Sequence, residues 1–178
     1  MLFLREVFAV SEVFEKEQYV VYGKMGVCRV VDRQMLTFGG AKEEYYVLAP
    51  ARDPRSSVYV PCANEALMAR LRPLLTKDEI DDILSHVTQE DIPWTEDRGE
   101  RASQFRAIIG GGDRRQIVRL VRCLYAKKQE KTAAGKKLSA ADEAFLQECI
   151  RLVEEEFVLV LGITPAQVGD YIRERVEE

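Results

Sequence analysis

The sequence has 178 residues, of which 47% are hydrophobic and 31% are charged, a composition typical of one ordinary soluble domain or two small ones. No apolar run approaches the ~20 residues that a membrane span needs, so we expect a cytoplasmic protein without a membrane partner. The formal net charge is −4, and it is unevenly spread along the chain.

In the first half of the chain, between residues 17 and 62, apolar and polar residues alternate as they do in short β-strands. Phe38-Gly39-Gly40 predicts the turn of a hairpin. Four or five short strands joined by close turns predict a small, strongly bent barrel of the SH3 or Tudor kind. The predicted strands cover residues 19–22, 27–31, 45–48 and 58–60.

The second half changes to a helical period. Thr76 to Glu79 forms a capping box, and Pro93 places a linker near residues 88–95. The predicted helices run from about residue 77 to 87, 98 to 109, 114 to 131 and 140 to 161, with a short last one from Pro165. We therefore predict an α+β chain with an extension at residues 1–13, a SH3/Tudor-like β-barrel at residues 14–75 and a helical bundle domain at residues 76–178.

Motifs for catalysis or metal binding are missing. His86 is the only histidine, and the cysteines match no zinc pattern, so we interpret them as buried, reduced thiols. Gly110-Gly111-Gly112 precedes a helix and could cradle a phosphate, but no Lys-Ser/Thr follows, which favours a loop-and-cap role. Glu154-Glu155-Glu156 is most simply a solvated helix face. We expect no enzyme, no cofactor and no small-molecule ligand. The cysteines are Cys28, Cys62, Cys123 and Cys149.

Positive charge is concentrated in the middle of the helical half. Residues 94–137 carry 12 basic and 5 acidic side chains, a net charge of +7, whereas residues 1–93 carry −4 and residues 138–178 carry −7. Such a block indicates a polyanionic partner. Alternatively, one basic helix of the bundle pairs with an acidic neighbour, and charge alone does not separate the two readings.

The only tryptophan, Trp94, directly precedes this basic block. An aromatic side chain beside a basic surface can wedge between DNA base steps from the minor groove, while the cations bind phosphates in a salt-sensitive manner. Alternatively, Trp94 anchors the linker to the core of the bundle. The candidate DNA-binding residues are Trp94, Arg98, Arg101, Arg106, Arg122, Lys127 and Lys128.

Residues 19–27, with the sequence YVVYGKMGV, resemble the opening strand and turn of the CarD/CdnL transcription regulators. The barrel of that family is similar to the polymerase-interacting domain of transcription-repair coupling factors. The resemblance extends from about residue 14 to residue 162. Its other motifs, in the family's order, are Tyr45 to Leu48, Val58 to Pro61 with Asn64, Trp94, Gly112-Asp113, Leu124-Tyr125 and Lys137-Leu138-Ser139.

This resemblance implies a barrel that binds the RNA polymerase β subunit by adding its edge strand to a strand there. It also implies a helical domain that contacts promoter DNA at the upstream edge of the transcription bubble. The tryptophan wedges into the minor groove and the open complex is stabilised, commonly at ribosomal RNA promoters. The implied polymerase-binding positions are Gln34, Leu36, Tyr45 and Tyr59; some family members carry arginines near Leu36 and Tyr59, so the detailed contacts differ here.

Two alternatives compete with this interpretation: a DNA-binding protein that does not use polymerase, and a protein-interaction adaptor whose basic helix pairs with its own acidic helix. Residues 1–12 have no counterpart at the start of the family. We expect them to be dispensable, with translation starting at codon 13, since a GTG codon is read as methionine when it initiates.

Overall fold

The computed structural model describes residues 13–176 and has the predicted α+β class, a five-stranded antiparallel sheet followed by helices. The expectation about residues 1–12 lies outside the described residues. The strands are β1 (Tyr19–Tyr22), β2 (Val27–Phe38), β3 (Ala41–Pro50), β4 (Val58–Pro61) and β5 (Leu71–Pro73); the helices are α1 (Glu65–Met68), α2 (Lys77–Ser85), α3 (Arg98–Gly111), α4 (Arg114–Ala133), α5 (Ala140–Leu161) and α6 (Pro165–Val176).

The sheet curls into a barrel-like shape. Its strand order is β4-β3-β2-β1-β5, and each neighbouring pair is antiparallel. Val60 of β4 and Leu71 of β5 belong to opposite edges, yet both lie in one buried cluster with Val20, Val30 and Leu48. Only a strongly bent sheet brings side chains from both edges into one core. We call β1 to β5 together with α1 the sheet region.

The hairpin of β2 and β3 is longer than the sequence pattern predicted. Gly39 and Gly40 adopt φ angles of 64° and 89°, which allows a tight turn at the predicted place. The pairing register shifts between Val30 and Asp32, and a bulge of this kind bends a strand. The outer half of the hairpin therefore extends beyond the core of the sheet, where polar and apolar residues no longer alternate clearly.

The helices begin at the predicted caps. The Thr76 hydroxyl accepts a hydrogen bond from the Glu79 amide, and the Glu79 carboxylate accepts one from the Thr76 amide, as expected for a capping box. Asp113 caps α4 by accepting a hydrogen bond from the Arg115 amide, and Ser139 caps α5 by accepting one from the Asp142 amide. The glycine run ends α3 two residues later than predicted, because only Gly112 leaves the helical conformation.

The helices from α2 to α6, which we call the helical region, pack around one apolar core that includes Ile80, Phe105, Leu120, Leu152 and Val168. All four cysteines are free thiols, and burial raises the pKa of Cys149 to about 12. In the described part of the chain, no helix combines the length and the apolar character that crossing a membrane requires.

Candidate polymerase and DNA interfaces

The four polymerase-binding candidates lie on one face of the sheet. Gln34 is paired in register with Tyr45, and Tyr45 is paired with Pro61. Residues directly opposite each other in a sheet share a face, and so do residues two apart along a strand. Leu36 lies two residues from Gln34, and Tyr59 lies two residues from Pro61. The topology therefore brings together four side chains that come from three strands.

A fifth residue completes this surface and was missed from the sequence. Phe38 is 50% exposed, and its ring packs edge-on against Tyr45 and Tyr59, with centroid distances of 5.2 and 5.4 Å. The signal was available, because Phe38 continues the period-two series from Gln34 through Leu36. We call these five residues the aromatic patch. Exposed aromatic clusters are typical of surfaces that bind another protein.

The aromatic patch reaches the free edge of the sheet. Tyr59 lies on β4, whose only hydrogen-bonded neighbour among the described strands is β3. The outer side of an edge strand presents backbone N–H and C=O groups that can pair with a strand of another protein. A partner protein that approaches this edge can therefore pair with the backbone of β4 and contact the side chains of the aromatic patch at the same time.

Trp94 lies in the linker between α2 and α3 and is half-buried against the helical core. Its ring centroid is 6.2 Å from that of Phe105, and its Nε1 donates a hydrogen bond of 3.0 Å to Glu96. Two cations lie over the ring: the Arg101 Cζ at 4.4 Å and the Lys127 Nζ at 5.4 Å from the centroid. Trp94 therefore packs against the core of the helical region and also lies beside basic side chains.

Arg101 lies in the interior rather than on the DNA-facing surface that its sequence position indicated. Its side chain is 6% exposed and forms a bidentate ion pair with Asp142 of α5. Burial alone would raise the pKa of Asp142, but the hydrogen bonds from Arg101 and Ser139 outweigh it and hold the pKa below its ordinary value. The guanidinium of Arg101 is consequently occupied within the protein and is not presented to a phosphate.

The other candidate cations lie on the surface, and they differ in whether they form an ion pair. Arg122 pairs with Asp91, Lys127 with Glu130, and Lys128 with Glu143. Two further α4 cations also form ion pairs: Arg115 with Asp82 and Arg119 with Glu90. Arg98 and Arg106, by contrast, are exposed and have no ion pair within residues 13–176.

A buried ion network joins the sheet region to the helical region. Glu156 is fully buried and accepts hydrogen bonds from both terminal nitrogens of Arg72, from Arg114 Nε and from the Leu75 amide, at 2.6–2.9 Å. The prediction that residues 154–156 form a solvated face is therefore wrong for Glu156. Consecutive helical residues point about 100° apart, and this one points into the junction.

A contact between two glycines closes the same junction. A Cβ atom added to Gly112 would lie 3.0 Å from the Cα of Gly23, so a side chain there would force the two regions apart. Arg151 of α5 also donates to the Lys24 carbonyl at 3.2 Å. The glycine run thus serves as a helix end and a contact between the regions, which agrees with the loop-and-cap interpretation.

Comparison with known proteins gives one family match. Residues 14–74 match the family model described as the CarD-like/TRCF RID domain. A search of curated proteins gave no match. The matched segment contains all five strands and every residue of the aromatic patch. Residues 14–74 are thus similar to the CarD-like/TRCF RID domain, a family of non-catalytic RNA polymerase-interacting modules; the match covers less than half of the chain, agrees with the CarD/CdnL resemblance and suggests a transcription-related protein.

Proposed function

We propose that this chain is a transcription regulator that binds the RNA polymerase β subunit through its sheet region and upstream promoter DNA through its helical region. It stabilises the open promoter complex, and ribosomal RNA promoters are among its targets. The observation that carries the proposal is the aromatic patch beside the free edge of β4, inside a domain whose family binds polymerase.

On the DNA side, the proposal relies on Trp94 as the minor-groove wedge and on nearby cations as phosphate ligands. Arg98 and Arg106 are the first candidates because they have no competing carboxylate in the described residues. Arg122, Lys127 and Lys128 are paired, but exposed ion pairs contribute only about 0–1 kcal/mol, so phosphates can replace their carboxylates. Arg101 is excluded from this set by its burial.

The polymerase contact is tested by binding of the purified full chain to the isolated β subunit. Phe38→Ser and Tyr59→Ser each remove an exposed ring from the aromatic patch, and we expect both to weaken binding by about tenfold or more, since interface aromatics often contribute over 1 kcal/mol. Met35→Ser is the matched control, because Met35 is 54% exposed on the same strand but faces the other way. Equal affinity of all four proteins would refute the proposed surface.

A second candidate function, a protein-interaction adaptor without DNA binding, is favoured by the ion pairs along α4. Six of its cations already have a carboxylate partner. Titration of the full chain with duplex promoter DNA at several salt concentrations separates the two functions. Affinity that falls steeply with salt supports the regulator, whereas absence of binding at low salt supports the adaptor.

A further inference from the structure

The Arg101 side chain makes directed contacts with three groups at once. Its Nε and Nη2 donate to the two carboxylate oxygens of Asp142 at 3.1 and 3.0 Å, and its Nη1 donates to the Thr95 carbonyl at 2.7 Å. Each guanidinium nitrogen therefore has an acceptor, and the plane of the group is fixed. The Cζ atom of that group lies over the Trp94 ring, 4.4 Å from the centroid.

From this geometry we infer that Arg101 is a positioning residue for Trp94: it holds the indole in the orientation that enters the DNA. The inference rests on the proposed function of Trp94 as the wedge. The Arg101 guanidinium lies over the indole and also donates a hydrogen bond to the backbone of Thr95, the next residue in the chain. A single side chain thus contacts both the ring and the backbone of the residue that follows it.

The support for Arg101 comes from α5. Asp142 is buried, and the Ser139 hydroxyl donates to it at 2.6 Å at the start of that helix. A rigid helix end thereby fixes the carboxylate, which in turn fixes the guanidinium. A ring that is already oriented loses less conformational freedom when it binds, and this improves both affinity and precision.

Lys127 also lies over the ring, but it is a weaker candidate for this role. Its Nζ is 5.4 Å from the centroid and its hydrogen bond goes to Glu130, an exposed residue of the same helix. An ammonium on a flexible stem lacks the planar fork that locks Arg101 in place. We therefore assign orientation of the indole to Arg101 and leave Lys127 among the phosphate ligands.

The experiment uses the intrinsic fluorescence of the full chain, because Trp94 is its only tryptophan. The first variant is Arg101→Lys, which keeps the charge but loses the planar fork of hydrogen-bond donors. The second is Arg101→Met combined with Asp142→Leu, which leaves no buried charge without a partner and so protects folding. The matched control is Arg114→Lys, another buried arginine paired with a carboxylate but not in contact with Trp94.

We expect a red-shifted emission and stronger acrylamide quenching for both Arg101 variants, and unchanged fluorescence for folded Arg114→Lys. Promoter complexes should dissociate about two- to fivefold faster with Arg101→Lys, the factor that corresponds to one lost cation–π contact. Adding Arg101→Lys to Trp94→Ala should cause no further loss, because the two residues act through one contact.

Unchanged emission and quenching in both folded Arg101 variants would overturn the inference. The proposed function is judged separately, by the Trp94→Ala variant alone. If that variant keeps the wild-type complex lifetime, Trp94 is not the wedge; a fluorescence change in the Arg101 variants would then still support Arg101 as the residue that orients the indole.

Discussion

Replacement of Glu156 by Gln is the most informative single perturbation of this fold. The carboxylate is fully buried at the junction, where it accepts hydrogen bonds from Arg72, Arg114 and the Leu75 amide. The side chain of Arg114 is 1% exposed, so its charge depends on Glu156 for compensation. Glutamine is nearly isosteric with glutamate, so the substitution removes the charge with little change in volume.

The expected loss of stability follows from this burial. Removal of one partner of a buried ion pair costs about 3–5 kcal/mol, because the other charge stays desolvated. A chain of this size has an unfolding free energy of about 5–15 kcal/mol, so the variant stays folded at low temperature but with a much smaller margin. At about 2–4 °C per kcal/mol, the melting temperature should fall by roughly 6–20 °C.

Thermal unfolding followed by circular dichroism measures this effect. Glu154→Gln is the control, because Glu154 lies on the same helix and has no ion pair within the described residues; its effect should stay within about 0.5 kcal/mol. Combined replacement of Glu156 and Arg114 by Met should regain most of the loss, since the fully buried pair is removed and the remaining cation, Arg72, is 28% exposed and can be hydrated. A melting temperature of Glu156→Gln equal to that of Glu154→Gln would refute the reasoning.

The network also makes stability depend on pH. Burial raises the pKa of Glu156, but the hydrogen bonds from Arg72 and the charge of Arg114 outweigh it, so the pKa lies below the ordinary 4.5. The resulting stabilisation is present above pH 4.5 and is lost as pH falls through the lowered pKa, so acid unfolding should be shallower in Glu156→Gln. Trp94→Ala should shorten the promoter-complex lifetime by more than its modest effect on unfolding predicts; a large stability loss with normal activity per folded molecule would make Trp94 a core anchor. Replacing Arg98 and Arg106 with Ala should reduce the log–log salt slope of DNA binding by about 1.8, which is 0.9 per lost phosphate contact, without changing affinity for the β subunit.

The polymerase-binding and DNA-binding roles proposed for the two regions are best tested in the full chain rather than in fragments. A fragment that starts at residue 76 would lack Arg72, which donates both terminal nitrogens to Glu156. The helical region cut at that point would expose the junction and lose part of its buried network. Full-length variants in the aromatic patch and at Trp94 separate the two activities without this damage.

Much of the fold was predictable because its signals are local. Thr76, Asp113 and Ser139 cap helices through contacts within three residues of chain, and Gly39-Gly40 needs only its own backbone freedom to form a turn. Short alternating strands were sufficient to predict a small bent sheet. The strand β5 was not located, because its three residues include Pro73 and carry too little pattern.

The candidate sites were predictable as segments but not as individual side chains. Arg98 and Arg101 are both arginines near the start of the same helix. Arg98 is exposed, whereas Arg101 is buried against Asp142, 41 residues away in the sequence. Glu154 and Glu156 are also equally acidic, yet Glu154 is only partly buried and Glu156 is fully buried. Partners so distant in sequence are set by how helices pack, which local periodicity does not encode. The sequence by itself determined most of the elements, their caps and the basic block; the tertiary structure decided which charges are free to bind a partner, because burial and pairing depend on contacts between elements.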